Sequence, residues 1–490
     1  MAIRGGIGMK ELNSDVVVVA AGPAGLAAAI SAAESNLSVI VFEKSMNTGG
    51  AANMGMGPLG LDTSVQRKEL STVDKNRAFD MFMNYTHWRV DANLVKKYFD
   101  KSADTIDWLQ DMGVEFYKAS RYFPGSEATW HIVKPESGNP GPRAASTMIK
   151  RMTERATELG VQFYFETPGK KLIKEDGKIV GVIAEGKDGE EIKVNCKAVI
   201  IATGGFGDNA ELVKQVTGYE YGKDFYGFRI PGLVGDGIRM AREVGAGKTD
   251  VNMELATSLS GENLTPQILA AFNQPNLLVN LEGERFFNEQ YFENSTFAAN
   301  AINIQKDRCA FMIIDESIKR TYLKKGVDVM SMVLHQEEID GFDEHMENAI
   351  AAGNPNVFVA DSIEELAEKT GINCEKLIDT IDEYNDFCDG RDEAFGKVAK
   401  YMKPLKKAKY YAAKFFPGAY GTLGGIKINH NTEVVTDNFE VIDGLYAAGT
   451  DTCTIYGDSY MFILPGNTMG YALNSGRMAG ENAADYVDSL

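Results

Sequence analysis

Residues 15–43 constrain this chain more tightly than any other stretch. Val16 to Val19 is an apolar run that reads as a buried parallel strand, and a glycine turn follows at Gly22 and Gly25. An Ala-rich helix comes next, then a second apolar strand from Ser38 to Phe42 with an acid, Glu43, at its end. Strand, glycine turn, helix and strand in that order make a unit that holds a dinucleotide. Gly22 lets the backbone approach a pyrophosphate, and Gly25 lets the helix pack closely on the strand. The helix N-terminus supplies free N–H groups and a positive dipole end. Glu43, 18 residues after Gly25, is positioned to accept hydrogen bonds from the adenosine ribose hydroxyls. Ala20 stands where the fingerprint expects its first glycine, a substitution tolerable if the residue keeps a negative φ.

A chain of 490 residues exceeds one ordinary core, so two or three domains are predicted. The net charge of −19 argues against nucleic-acid binding and against adhesion to anionic lipid. Five scattered cysteines without a C-x-x-C pair exclude a disulfide framework, an iron–sulfur site and c-type haem. The five histidines, His87, His131, His335, His345 and His430, are equally dispersed, so no metal site is predicted. No apolar run reaches the length of a membrane span, and Met1 to Asn13 carries neither a signal-peptide core nor twin arginines. These features predict a cytoplasmic protein.

Further along, Asn47 to Pro58 is a glycine-dense loop, and helical periodicity resumes from about Lys75 to Met112. Residues 160–205 read as β-rich, with strands at 161–165, 178–183 and 191–194 joined by Asp-Gly turns at 176–177 and 188–189. Residues 251–410 are richer in helix and charge. Ser362 to Glu365 reads there as a capping box with Gly371 as the helix stop. Leu377, Ile378, Ile381, Tyr384 and Phe387 form one apolar helix stripe that reads as core packing. Glycine-rich strands and turns return at Leu423, and the chain ends on a helix from about Met469. The pattern predicts an α/β nucleotide-binding domain over 11–250 and 411–490, interrupted by a second domain over 251–410.

Several separated motifs carry a resemblance. They are the fingerprint with Glu43 and Gly49-Gly50, then Val199 to Phe206, Gly235 to Ile238, Gly444 to Gly449, and Pro465-Gly466-Asn467 with Gly476 to Gly480 beyond it. Residues 278–289, ending in Arg285-Phe-Phe-Asn-Glu289, add another. Together they resemble the flavoprotein superfamily of fumarate reductases, urocanate reductases and 3-ketosteroid dehydrogenases. The resemblance implies a discontinuous Rossmann-like FAD-binding domain with an inserted α+β capping domain. It sets FAD against Ala21, Gly22, Pro23 and Ala24 in the first turn, and against Glu43 and Lys44 after the second strand. Gly49, Gly50 and Ala51 follow, then Ala202, Thr203, Gly204 and Asp236, and finally Gly449, Thr450, Gly466 and Asn467. Such proteins move a hydride between flavin N5 and a carbon–carbon bond next to a carbonyl or carboxylate, the flavin carrying the electrons. No histidine lies between Met1 and Thr86, so histidyl attachment is not expected and the FAD is predicted to be non-covalent.

The chain departs from the fumarate-reducing branch at three cationic positions. The arginine that branch uses as proton donor falls near Glu293 here, and no arginine occurs between Arg285 and Arg308. Gly421 precedes Thr422-Leu-Gly-Gly425 where that branch has a histidine, and Asp458 to Leu464 lacks a third arginine. A buried dicarboxylate without such partners is costly, which argues against fumarate reduction. Ser459-Tyr460 resembles the tyrosine near the flavin in 3-ketosteroid dehydrogenases, where a phenol can stabilise a developing enolate. Tyr460 is therefore the first catalytic candidate, with Tyr122, Tyr420 and Tyr291 as others; each also reads as a buried aromatic with a satisfied hydroxyl. His131 reads as a hydrogen-bonded structural histidine, and Arg143 as an anion contact or a helix start.

The expected function is an FAD-dependent ene-reductase or dehydrogenase for a bulky, largely apolar ketone such as a 3-ketosteroid or bile-acid derivative. A reductase of a monocarboxylic enoate, of urocanate or aryl-acrylate type, is the alternative; an electron-transfer flavoprotein without its own substrate site is a third. No second dinucleotide fingerprint, haem motif or FMN-carrying domain is present, so an external electron donor or acceptor is expected, such as a partner flavoprotein.

Overall fold

The computed structural model describes residues 10–71, 73–333 and 336–490. His335 and the segment before Lys10 lie outside the described residues. The chain divides into two compact units. The first comprises residues up to Thr217, Arg229–Met253 and Gly421–Leu490; the second comprises Gly218–Phe228 and Glu254–Tyr420. The short Gly218–Phe228 segment thus groups with the second unit, where the sequence pattern assigned it to the first.

The first unit is built on a six-stranded sheet. Its order is Glu433–Val435, Val441–Ala447, Ala198–Ile201, Val16–Val19, Val39–Phe42, Gln162–Tyr164. All neighbours are parallel except the first pair. Val16–Val19 sits mid-sheet with every side chain buried, which is why it reads as an unbroken apolar run. The first helix, Pro23–Glu34, and the last, Asn467–Asp488, pack side by side over this sheet. Glycine permits the approach: a Cβ on Gly476 would stand 2.2 Å from the Ala24 carbonyl oxygen, and one on Gly480 2.4 Å from that of Ala28.

A second sheet of four strands joins Lys10–Asn13, Glu191–Asn195, Lys178–Glu185 and Gly169–Glu175. The Asp-Gly turn at 176–177 forms, with φ of 48° and 86° at its two residues. Its partner strand is Gly169–Glu175, which the sequence pattern did not single out. Gln162–Tyr164 instead closes the large sheet, parallel to Val39–Phe42. The helical stretch at 75–112 is two helices, Lys75–Tyr85 and Ala92–Asp111. Asp91 ends the continuity because its carboxylate accepts from the amides of Asn93 and Leu94 and starts a new helix.

In the second unit the strand Tyr410–Gly425 pairs through its first residues with Ala310–Asp315 on one side and Val357–Ala360 on the other. Leu277–Val279 extends that sheet beyond Ala310–Asp315. Helix Ile363–Thr370 is capped by the Ser362 hydroxyl, which accepts from Glu365 N at 3.1 Å, and stops at Gly371 with φ 75°. The Glu365 carboxylate reaches back to Asp361 N rather than to Ser362. In helix Cys374–Cys388 the side chains of Leu377, Ile381 and Tyr384 are buried, while Ile378 and Phe387 are half-buried.

Candidate functional site

The predicted cofactor residues of the first unit converge on the start of the first helix. Gly22 caps that helix without any side-chain hydrogen bond, and a Cβ on it would meet nothing within 4 Å. The turn therefore presents its backbone to open space, with Pro23 and Ala24 opening the helix, as an anion-binding N-terminus requires. Gly25 is needed for a different reason: a Cβ there would lie 1.9 Å from the Ala20 carbonyl oxygen. Ala20 itself departs from expectation, adopting φ 86° instead of a negative value. Its amide donates to Phe42 O at 2.7 Å, and its carbonyl is trapped beneath Gly25, so the turn imposes a left-handed backbone that alanine accepts at a cost.

Glu43 is buried and locks this turn. Its carboxylate accepts from Ala21 N at 2.7 Å and Ser45 N at 2.7 Å. A carboxylate has about four lone-pair sites, so two backbone bonds leave capacity for ribose hydroxyls. The Ala21 carbonyl in turn holds Gly49 N at 2.8 Å, and a Cβ on Gly50 would stand 3.7 Å from the Gly22 Cα. The Gly49-Gly50 loop is thereby laid against the first turn, with Ala51 exposed beside it. Lys44 pairs with Asp236 at 3.0 Å and reaches the Gly232 carbonyl.

Ala202, Thr203 and Gly204 follow the strand Ala198–Ile201, with Ala202 N bonded to Val19 O at 3.0 Å. What shapes their turn is Asp451, a fully buried carboxylate that sequence reasoning missed. It accepts from the Thr203 amide, from Thr203 Oγ1 at 2.8 Å and from Gly205 N at 2.9 Å. Burial pushes its carboxyl above the ordinary range against these donors. The signal lay two residues past a glycine, in Gly449-Thr450-Asp451. Gly449 takes φ 69°, and a Cβ on it would come 2.8 Å from the Ala24 Cβ, while the Thr450 methyl lies 3.2 Å from a Cβ on Gly205.

Gly466, at φ 82°, opens the last helix, whose first residue Asn467 is fully buried. Asn467 Nδ2 and Thr422 Oγ1 are buried and have no hydrogen-bond partner in the protein. Open space at Gly22 and orphaned donors such as these fit a ligand of extended, acceptor-rich character, as FAD is. Among the described residues no cluster of three or more His, Cys, Asp or Glu could hold a metal ion.

Of the tyrosine candidates, two come together. The Tyr122 ring lies 4.5 Å from Phe462 and 5.6 Å from Trp130, and the Tyr460 ring lies 5.9 Å from the same Phe462. The buried Tyr460 hydroxyl accepts from Thr468 N, in the first turn of the last helix, at 3.2 Å. Tyr420 belongs to the second unit, where it stacks on Phe228 at 5.5 Å and is 41% exposed. Tyr291 is exposed, and so is Arg143, which precedes the helix Ala145–Glu158.

His131 is structural. Thr63 Oγ1 sits 2.7 Å from Nε2 and Thr129 O 2.9 Å from Nδ1, and burial drives its pKa down to about 4. In the second unit Arg285 is likewise closed off: its guanidinium grips Glu289 at 2.8 and 2.9 Å and Asp392 at 3.0 and 3.1 Å. Lys397, 3.5 Å from Glu289, completes the cluster, its pKa lowered by burial to about 8. Glu293 is half-buried, and desolvation raises its carboxyl to about 7.

The FAD binding domain family matches residues 15–468. A vinyl phenol reductase of Lactiplantibacillus plantarum is 32% identical, covering 98% of this chain and 98% of its own length. A cytochrome-linked fumarate reductase of Shewanella frigidimarina is 29% identical over 96% of this chain and 77% of that protein. Among solved structures, a 3-ketosteroid-Δ4-(5α)-dehydrogenase from Rhodococcus jostii aligns over 98% of both chains with a TM-score of 0.78 at 24% identity, a likeness of fold.

Proposed function

The chain belongs to the FAD binding domain family and is an FAD-dependent oxidoreductase acting on carbon–carbon bonds; from that premise we propose that its substrate is uncharged and largely apolar. The double bond is conjugated to an oxygen on a ring, either a ketone, as in a steroid, or a phenol. The observation that carries this reading is the largely buried aromatic cluster of Tyr122, Trp130, Tyr460 and Phe462, together with an Arg285 whose guanidinium is engaged by Glu289 and Asp392. The name of the Lactiplantibacillus relative supports the phenol form.

Bound FAD supplies hydride exchange with the substrate carbon. The chain's own residues bind and orient. The open backbone at Gly22 takes the phosphates, with Glu43 bracing the turn and receiving the ribose. The aromatic cluster keeps water away from a flat substrate. Tyr460, whose hydroxyl accepts from Thr468 N, donates its proton toward the substrate's oxygen as charge grows there. FAD is held non-covalently, a reading supported by the absence of histidine ahead of His87. Acid precipitation is expected to leave the yellow colour in the supernatant. Electrons pass to or from an external carrier, and the five free cysteines suit a reduced, cytoplasmic setting.

Titrating the oxidised holoprotein with 4-ethylphenol, a cyclic enone, fumarate and urocanate tests the reading. Perturbation of the flavin spectrum is expected at a concentration at least tenfold lower for at least one of the two uncharged ligands than for either carboxylate. Tighter binding of either carboxylate would overturn it.

A further inference from the structure

The carboxamide of Asn467 is held from one end only. Its Oδ1 accepts from the Tyr98 phenol at 3.0 Å and from the Tyr456 phenol at 3.1 Å. With Oδ1 accepting from both phenols, the amide nitrogen occupies the opposite side of the carboxamide. Nδ2 is thereby turned away from both phenols, fully buried and without a partner. The tyrosines are themselves braced. Tyr98 packs edge-on against Tyr471 at 5.6 Å, and Tyr456 lies 5.9 Å from Phe82. Burial holds the Tyr98 phenol well above its ordinary pKa, so it remains a proton donor.

The packing of the helices locates Asn467 relative to the first turn. Gly476 of the last helix lies against Ala24, at the start of the first, and Gly480 lies against Ala28, so the two helices run parallel. Asn467 precedes Gly476 by nine residues, which at about 1.5 Å per residue carries it about 13 Å beyond the start of the first helix. That start is where the cofactor's phosphates bind. An extended FAD anchored there would bring its ring system to Asn467, and the ring's carbonyl oxygens and unprotonated nitrogens could accept from Nδ2.

We infer that Tyr98 and Tyr456 are positioning residues that aim Asn467 Nδ2 at an acceptor atom of the bound isoalloxazine. The bond strengthens as the ring gains electron density, so the trio favours reduced over oxidised flavin. This inference rests on FAD alone and is independent of the substrate.

The test compares three proteins: the double variant Tyr98→Phe/Tyr456→Phe, Asn467→Leu, and the triple combination. Each is measured for FAD affinity of the apoprotein by flavin fluorescence, for flavin midpoint potential against reference dyes, and for Tm. The double variant and Asn467→Leu are each expected to weaken oxidised FAD about tenfold. Reduced FAD is weakened about tenfold more, which lowers the potential by about 30 mV. The triple variant matches Asn467→Leu within about twofold, because the phenols act through that side chain. Asn467→Asp keeps the acceptor oxygens and lacks the donor, and it gives the same losses should the Leu variant not fold. Wild-type affinity and potential in the double variant or in Asn467→Asp, or losses that add in full in the triple, would overturn the inference.

Discussion

Gly22 at the start of the first helix faces open space and Asn467 Nδ2 at the start of the last has no partner, whereas around Arg285 in the second unit every guanidinium nitrogen is bonded to a carboxylate. Asn467 and the Arg285 cluster are buried, Gly22 is half-buried, and both places are rich in polar atoms. The first leaves its donors open, and it does so with backbone and glycine rather than with charge. The second closes its charges on one another. Open donors in a buried place await a ligand; a saturated ion cluster holds a fold. The Arg285-Phe-Phe-Asn-Glu289 motif falls on the closed side of this contrast, its guanidinium held by two buried carboxylates.

Four substitutions or conditions press on that contrast. Gly25→Val places a side chain where even a Cβ would lie 1.9 Å from Ala20 O. It is expected to cut the FAD content of purified protein below about a tenth, read from the ratio of visible to ultraviolet absorbance, because it distorts the turn proposed to take the phosphates. Full loading would show that the close helix–strand approach is dispensable. Next in size, Arg285→Met removes the one cation bonded to Asp392 among the described residues and leaves two buried carboxylates, Glu289 and Asp392, with only Lys397 beside Glu289. It is expected to destabilise by about 3–5 kcal/mol in urea unfolding while the protein still carries FAD. Loss of FAD with unchanged stability would invert the roles assigned to the two regions.

The third concerns acid. His131 has a folded pKa of about 4 against an ordinary 6.5, so between those values the unfolded chain takes up a proton that the folded one refuses. Stability is therefore complete above about pH 6.5, falls as pH drops toward 4, and loses about 3 kcal/mol across that window. His131→Gln is expected to flatten this part of the pH profile, and an unaltered slope would place the acid sensitivity elsewhere. The smallest effect is a gain. Ala20→Gly relieves the left-handed φ of 86° and is expected to stabilise by about 1 kcal/mol, read as a higher urea midpoint.

The parts of the fold legible in sequence are those where one local pattern determines one local structure. Val16–Val19 is apolar throughout because it lies mid-sheet, Ser362 and Gly371 bound their helix, and Asp176-Gly177 makes its turn. The glycine motifs carried the family, since each marks a place where backbone must touch backbone. Ala20 shows the limit of that logic: its φ is set by Gly25 pressing on its carbonyl, a contact that no single-residue propensity encodes. Asp451, Tyr98 and Tyr456 escaped notice for a related reason. Tyr98 lies on the helix Ala92–Asp111 and meets Asn467, 369 residues away, only in the folded chain. A buried Asp or Tyr has no periodic signature, and its role is defined by partners that sequence spacing leaves unspecified.

The proposed pairing of an FAD frame with an uncharged substrate rests on the aromatic cluster around Tyr460 and on the engagement of Arg285 by Glu289 and Asp392. The most direct measurement reduces the bound flavin with dithionite under anaerobic conditions and follows its reoxidation in a stopped-flow instrument. The panel pairs 4-vinylphenol and 4-androstene-3,17-dione with fumarate and urocanate. At least one uncharged compound is expected to reoxidise the flavin ten or more times faster than either carboxylate. Reoxidation by fumarate or urocanate at equal or greater rate would contradict it.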